Sequence, residues 1–178
     1  MSVVERRTSE TDIRVEMVQG SGIASIDTGV SFLDHMMTAL ARYSGLDITI
    51  TATGDLRHHL IEDVAIAAGT AFAQMIPAAC ARYGDRAIPM DDALVHVSID
   101  AGGRPYYEGE LPSTLYDHWM RSFADHAKMT LHVRILNGTD RHHIVEAAFK
   151  ALGLAIRDAL VETKEVFSTK GVVSLDAR

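Results

Sequence analysis

Two stretches of the chain hold the residues best suited to chemistry. Residues 57–72 read RHHLIEDVAIAAGTAF and residues 141–156 read RHHIVEAAFKALGLAI, each with His-His-x-x-Glu at the head of an apolar run. On a helix of 3.6 residues per turn, His58 and Glu62 stand nearly above one another, while His59 projects about 100° around the axis. One cation can be gripped by His58 and Glu62 while His59 turns to another, and His142, Glu146 and His143 repeat the pattern. Imidazole suits Zn, Fe, Ni or Cu, whereas carboxylate and water admit Mn, so donor type alone leaves the metal open. The spacing differs from the zinc-protease HExxH motif, whose glutamate lies between its histidines.

Such sites need further donors. His35 in FLDHMM and His132 in TLHVRI complete a set of six histidines and two glutamates, which divides evenly into two sites of three imidazoles and one carboxylate. Open positions on an octahedral ion would then receive water or substrate. His96, His118 and His126 show no duplicated context and read as ordinary surface or core residues. A single HHxxE is weak evidence, because exposed histidines on a helix give the same text. Two copies in equivalent places outweigh that reading.

The elements that must position these ligands also recur. TDIRVEMV (11–18) alternates Ile13, Val15 and Met17 with polar neighbours, as a half-buried strand does, and GIASID (22–27) follows across the turn QGSG. SFLDHMMTALARY (31–43) has helical spacing with Ser31 as N-cap. LDITITAT alternates again, and a long helix then runs to about Ile76, where Pro77 closes it. In the second half ALVHVSID and RPYYEGEL read as strands around AGGR, STLYDHWMRSFADHA as a helix, MTLHVRIL as a strand, and residues from 141 as the second long helix. At an offset of 84 the long helices match at Arg57/Arg141, His58/His142, His59/His143, Glu62/Glu146, Ala67/Ala151, Gly69/Gly153 and Ala71/Ala155. The expected fold is α+β, a tandem duplication of a ββαβα unit with helices packed on sheet. The half-repeats, 1–86 and 87–178, share one compact domain. The period is too long and the copies too few for a solenoid.

Composition sets bounds on function. The 178 residues are 47% hydrophobic and 23% charged, which is ordinary globular usage. A formal charge of −7 speaks against broad binding to nucleic acid or anionic membrane, but leaves room for a small anion held by a local cluster of Arg and Lys. Cys80 is the only cysteine, no apolar run is long enough to span a bilayer, and the opening residues show no signal-peptide core; a reducing, cytoplasmic setting is the expectation.

With these residues in place, the chain resembles the imidazoleglycerol-phosphate dehydratases. The resemblance rests on RRTSET, DTGVSFLDHM, GDLRHHLIEDVAIAAGTA, RYGD, PMDDALVHVSIDAGGRPY, TLHVRI, RHHIVEAAFKALGLAIR and STKG, in order and over nearly the whole length. It implies a fold of the ribosomal protein S5 domain 2-like type and a 24-subunit cage built from trimers, with two Mn²⁺ ions per active site at subunit interfaces. It implies a hydro-lyase of histidine biosynthesis, which removes water from imidazoleglycerol phosphate to give imidazoleacetol phosphate. The proton to be removed sits on a carbon without an adjacent carbonyl; positive charge beside the substrate's imidazole favours the imidazolate, which can expel the neighbouring hydroxide. By match to the family's motifs, Glu10 is the first candidate acid/base, with Glu62 and Glu146 as poorer ones if they ligate metal. Arg82, Arg104, Ser168 and Lys170 match the phosphate-binding set, and Glu10 is grouped with them at the substrate. The chain departs from the family's usual pattern in four places: the segment between Gly54-Asp55 and the first histidine pair is shorter, Thr38-Ala39 replaces Asp-Gln, Tyr43 stands for a histidine, and Thr139 replaces a lysine. The alternatives are a diverged relative using the same metals on another phosphorylated substrate, and a metal-binding cage protein without turnover.

Overall fold

The structure, a computed structural model, describes residues 1–166. Its elements run β1 (Ser2–Arg7), β2 (Thr11–Gln19), β3 (Ala24–Asp27), α1 (Ser31–Ser44), β4 (Leu46–Gly54) and α2 (Arg57–Ala73), followed by β5 (Tyr83–Met90), β6 (Ala93–Asp100), β7 (Tyr106–Glu108), α3 (Thr114–His126), β8 (Thr130–Asn137) and α4 (Arg141–Ala159). The two four-stranded sheets have the same topology, β1-β2-β4-β3 and β5-β6-β8-β7, with the first three strands antiparallel and the last parallel to its neighbour. The α+β duplication is present, and each unit carries one more strand than the expected ββαβα. The additional strands, β1 and β5, lie at sheet edges, and each unit is βββαβα.

The central strands alternate as half-buried strands must. In β2 Ile13, Val15 and Met17 are buried, and in β6 Val95, Val97 and Ile99 are buried, so one face of each sheet meets helices. The long helices bury far more than a stripe: α2 buries Leu60, Ile61, Val64, Ala65, Ala67, Ala68, Ala71 and Phe72, and α4 is similarly enclosed. Their alanines let neighbouring elements approach closely from several directions. Helix α2 packs on β1 and β2 of its own half and on α3 of the other; α4 packs on β5 and β6 and on α1. The halves therefore share one core, in which Trp119 stacks on Phe123 at 4.9 Å and contacts Phe149 at 4.6 Å.

Matched glycines permit this crossing. A Cβ on Gly69 in α2 would fall 2.5 Å from the Phe123 carbonyl oxygen of α3, and one on Gly153 in α4 would fall 2.8 Å from Cβ of Tyr43 in α1. Helix α1 begins at Ser31 with Val30 as its N-cap and no side-chain cap bond, so Ser31 is not the expected cap. Asp34, a turn further on, instead accepts the backbone N–H and the hydroxyl of Thr28. Among the described residues no helix is long and apolar enough to cross a membrane.

Candidate metal centre and active site

The crossing of the halves brings His35 of α1 to the head of α4. His35 Nε2 lies 3.1 Å and His142 Nε2 3.0 Å from the same Glu146 oxygen, Oε2. The three ligand atoms lie within 4.8 Å of one another. Lys150, one turn along α4, takes the other carboxylate oxygen at 2.9 Å. Burial pushes the Glu146 carboxyl up, but bonds from Lys150 and His35 outweigh it and hold the group below the usual carboxylate range. An ionised carboxylate beside two imidazoles is a fitting donor set for a divalent transition metal.

A second, more open group occupies the equivalent place. His58 Nε2 is 3.5 Å from Glu62 at the head of α2, and the ring of His118, from α3, lies 5.6 Å from that of His58. Each group thus draws on both halves of the chain: α1 and α4 for one, α2 and α3 for the other. The diverging histidines behave as the helix geometry requires. The rings of His58 and His59 are inclined at 77°, and those of His142 and His143 at 88°. His59 Nδ1 lies 2.9 Å from Asp55, and His143 Nδ1 lies 2.7 Å from Asp92. These hydrogen bonds raise both imidazoles above their ordinary pKa against the opposing effect of burial. Asp92, which also accepts the backbone N–H groups of Thr139 and Asp140, is held far below the usual carboxylate range by the Thr139 N–H first and His143 next.

Glu10 sits in the exposed turn between β1 and β2, with Oε2 3.5 Å from His59 Nδ1. Arg82 forms a two-pronged pair with Asp100, at 2.5 and 2.9 Å. Arg104 is exposed in the loop between β6 and β7. Ser168 and Lys170 lie outside the described residues.

The comparisons with known proteins bear on this arrangement directly. The family model described as imidazoleglycerol-phosphate dehydratase matches residues 28–156. Curated relatives of that name from Kineococcus radiotolerans and Methanococcoides burtonii are each 43% identical, over 96% of this chain and 97% of theirs. The chain belongs to the imidazoleglycerol-phosphate dehydratase family. Among solved structures, the Pyrococcus furiosus dehydratase in complex with (S)-C348 is 44% identical, with a TM-score of 0.87 over 96% of this chain and all of that one. The Staphylococcus aureus imidazoleglycerol-phosphate dehydratase is 30% identical, with a TM-score of 0.79 over 92% of this chain and all of that one.

Within this dehydratase fold, His132 requires a correction. Its neighbours in β8, Leu131 and Val133, are buried against the helices, so the pleat turns His132 to the other face of the sheet, beside Tyr106 at 5.6 Å. It joins neither histidine group. His118 is the residue the sequence reading missed. It does have a duplicated context: FLDHMM (32–37) matches LYDHWM (115–120) at an offset of 83, which pairs Asp34 with Asp117 and His35 with His118. Asp117 accepts the Leu111 N–H six residues upstream, as Asp34 accepts that of Thr28. The 83 offset persists through the link, where Lys128 at φ 52° matches Gly45 at φ 76°, and into β8, where Leu131 and Val133 match Ile48 and Ile50; the register shift between Leu94 and Val95 then adds the one residue that makes it 84. An offset of 84, correct for the long helices, therefore carries His35 onto Trp119.

Proposed function

We propose that this chain is a hydro-lyase of histidine biosynthesis that converts imidazoleglycerol phosphate to imidazoleacetol phosphate. The observation that carries the reading is the His35–His142–Glu146 group, assembled from both halves of a chain that matches the dehydratase family through its core. In this reading His35, His142 and Glu146 hold one divalent ion, and His58, Glu62 and His118 hold a second, Mn²⁺ in both cases. Bound there, the cations supply Lewis acidity that favours the imidazolate form of the substrate ring. His59 and His143 complete the coordination from a neighbouring subunit, which places the active sites at interfaces of a 24-mer built from trimers. The carboxylate partners of these two histidines support that role, since a carboxylate on Nδ1 leaves Nε2 as the donor.

The proton work falls to Glu10. Its side chain is exposed and stands beside His59 of the first motif, whereas Glu62 and Glu146 are metal donors in this reading and therefore poor bases. Arg82, Arg104, Ser168 and Lys170 bind the phosphate. The pair with Asp100 fixes the plane of the Arg82 guanidinium. The absence of a lysine at 139 weakens phosphate binding without touching the histidine groups.

The test is to supply imidazoleglycerol phosphate to metal-loaded protein and follow the enolisable ketone. Product that disappears on chelation, returns with Mn²⁺ and is absent from Glu10→Gln agrees with this reading. Phosphate release without ketone, or metal binding without either, contradicts it.

A further inference from the structure

Asp63 follows the ligand Glu62 directly but points elsewhere. It is 8% exposed, and its carboxylate is spent entirely on the hairpin that carries Glu10: Oδ1 pairs with the Arg6 guanidinium of β1 at 2.9 Å, and Oδ2 accepts the Thr11 hydroxyl of β2 at 2.5 Å. That bond gives the next ones a direction. A carboxylate can only accept, so the Thr11 hydroxyl donates to Asp63 and is left to accept from the Thr8 hydroxyl, 3.2 Å away. Thr8 Oγ1 in turn has its lone pairs free for the backbone N–H groups of Glu10 and Thr11, each at 3.0 Å. The turn is closed by Thr8 N–H to the Thr11 carbonyl at 2.9 Å and fastened to the loop before α2 by Asp55 N–H to the Glu10 carbonyl at 3.0 Å.

The other half shows that this arrangement is particular to the first. On the sheet alignment, Thr11 matches Ala93 and Glu10 matches Asp92, and on the helix alignment Asp63 matches Ala147. Asp92 is consumed as the partner of His143, whereas in the first half Asp55 takes the corresponding histidine at 2.9 Å and Glu10 stands farther from it, at 3.5 Å. The copy whose hairpin carboxylate stands off its histidine is the copy with a buried device to hold that hairpin.

We propose that Asp63 is a positioning residue for proton transfer: through Thr11 and Thr8 it fixes the turn bearing Glu10 against the helix bearing His58, His59 and Glu62. This rests on Glu10 being the group that moves the proton. A turn displaced by about 1 Å costs up to about a hundredfold in rate without loss of binding.

Thr11→Val tests it best, because the Asp63–Arg6 pair survives and only the hydroxyl link is cut. The expected result, measured on Mn²⁺-loaded full-length protein, is a fall in kcat of about 10- to 100-fold with KM and bound metal near wild type and Tm lower by only a few degrees, the cost of one buried hydrogen bond. Thr11→Ser restores kcat, and Thr8→Val reproduces the defect. A merely structural role would lower metal content and kcat in proportion and raise KM, and would overturn the proposal. Wild-type kcat in Thr11→Val beside an inactive Glu10→Gln would overturn it while leaving Glu10 its role. Full activity in Glu10→Gln would remove that role and the proposal with it.

Discussion

The two histidines that leave each helix pair are not alike, and the difference is set by single carboxylates. His143 donates Nδ1–H to Asp92, and His59 to Asp55, which fixes the tautomer and leaves the Nε2 lone pair available to the proposed metal. Replacing Asp92 with Ala should weaken metal binding about 10- to 100-fold, read by isothermal titration with Mn²⁺. The same pair shapes the metal-free protein's pH dependence. The His143 pKa is raised in the fold, so its contribution is full below the ordinary imidazole value and is lost as pH rises through the raised one. Asp92 is depressed, so its contribution is present above the ordinary carboxylate value and is lost as pH falls through the lowered one. Tm of the metal-free protein should therefore be highest between these limits, and Asp92→Ala should flatten that maximum. At this scale the sequence was readable where candidate ligands repeat at helical spacing, as in His58–Glu62 and His142–Glu146. Asp92 and Asp63 were not readable, because their partners are 51 and 52 residues away.

At the scale of elements, the site depends on close helix crossings. Gly153 lets α4 reach α1, where His35 meets His142 and Glu146, and a Cβ there would fall 3.0 Å from the Ser44 nitrogen as well as 2.8 Å from Tyr43. Gly153→Ala should cost about 1–3 kcal/mol of stability in urea unfolding and should weaken metal binding at the His35 group more than at the His118 group. The core strands were legible from strict alternation, but β1 and β5 were not. In β1 the inward positions are Ser2, Val4 and Arg6, which breaks the apolar period. β5 contains Pro89, tolerated because the strand lies at an edge where a missing donor is harmless. His118 escaped for a related reason: a bulge in β8 adds one residue and shifts the repeat from 83 before it to 84 after it, and a period read from one pair of elements does not survive an insertion between them.

At the scale of the whole molecule, duplication has produced one interlocked body. Each histidine group takes α-helical residues from both halves, so residues 1–86 alone lack His118, α3 and the aromatic layer around Trp119. That fragment should remain unfolded by circular dichroism. Between chains, interface sites make a stronger prediction. Two inactive variants, His35→Ala and His59→Ala, mixed through disassembly and reassembly, should regain part of the activity, because some interfaces then pair an intact His35 with an intact His59. The measurement closest to the central claim is elemental analysis of metal per chain in three purified proteins. Two matched groups built from both halves predict about two ions in wild type, about one in His118→Ala and still about two in His132→Ala. Full occupancy in His118→Ala, with loss in His132→Ala, would contradict the account.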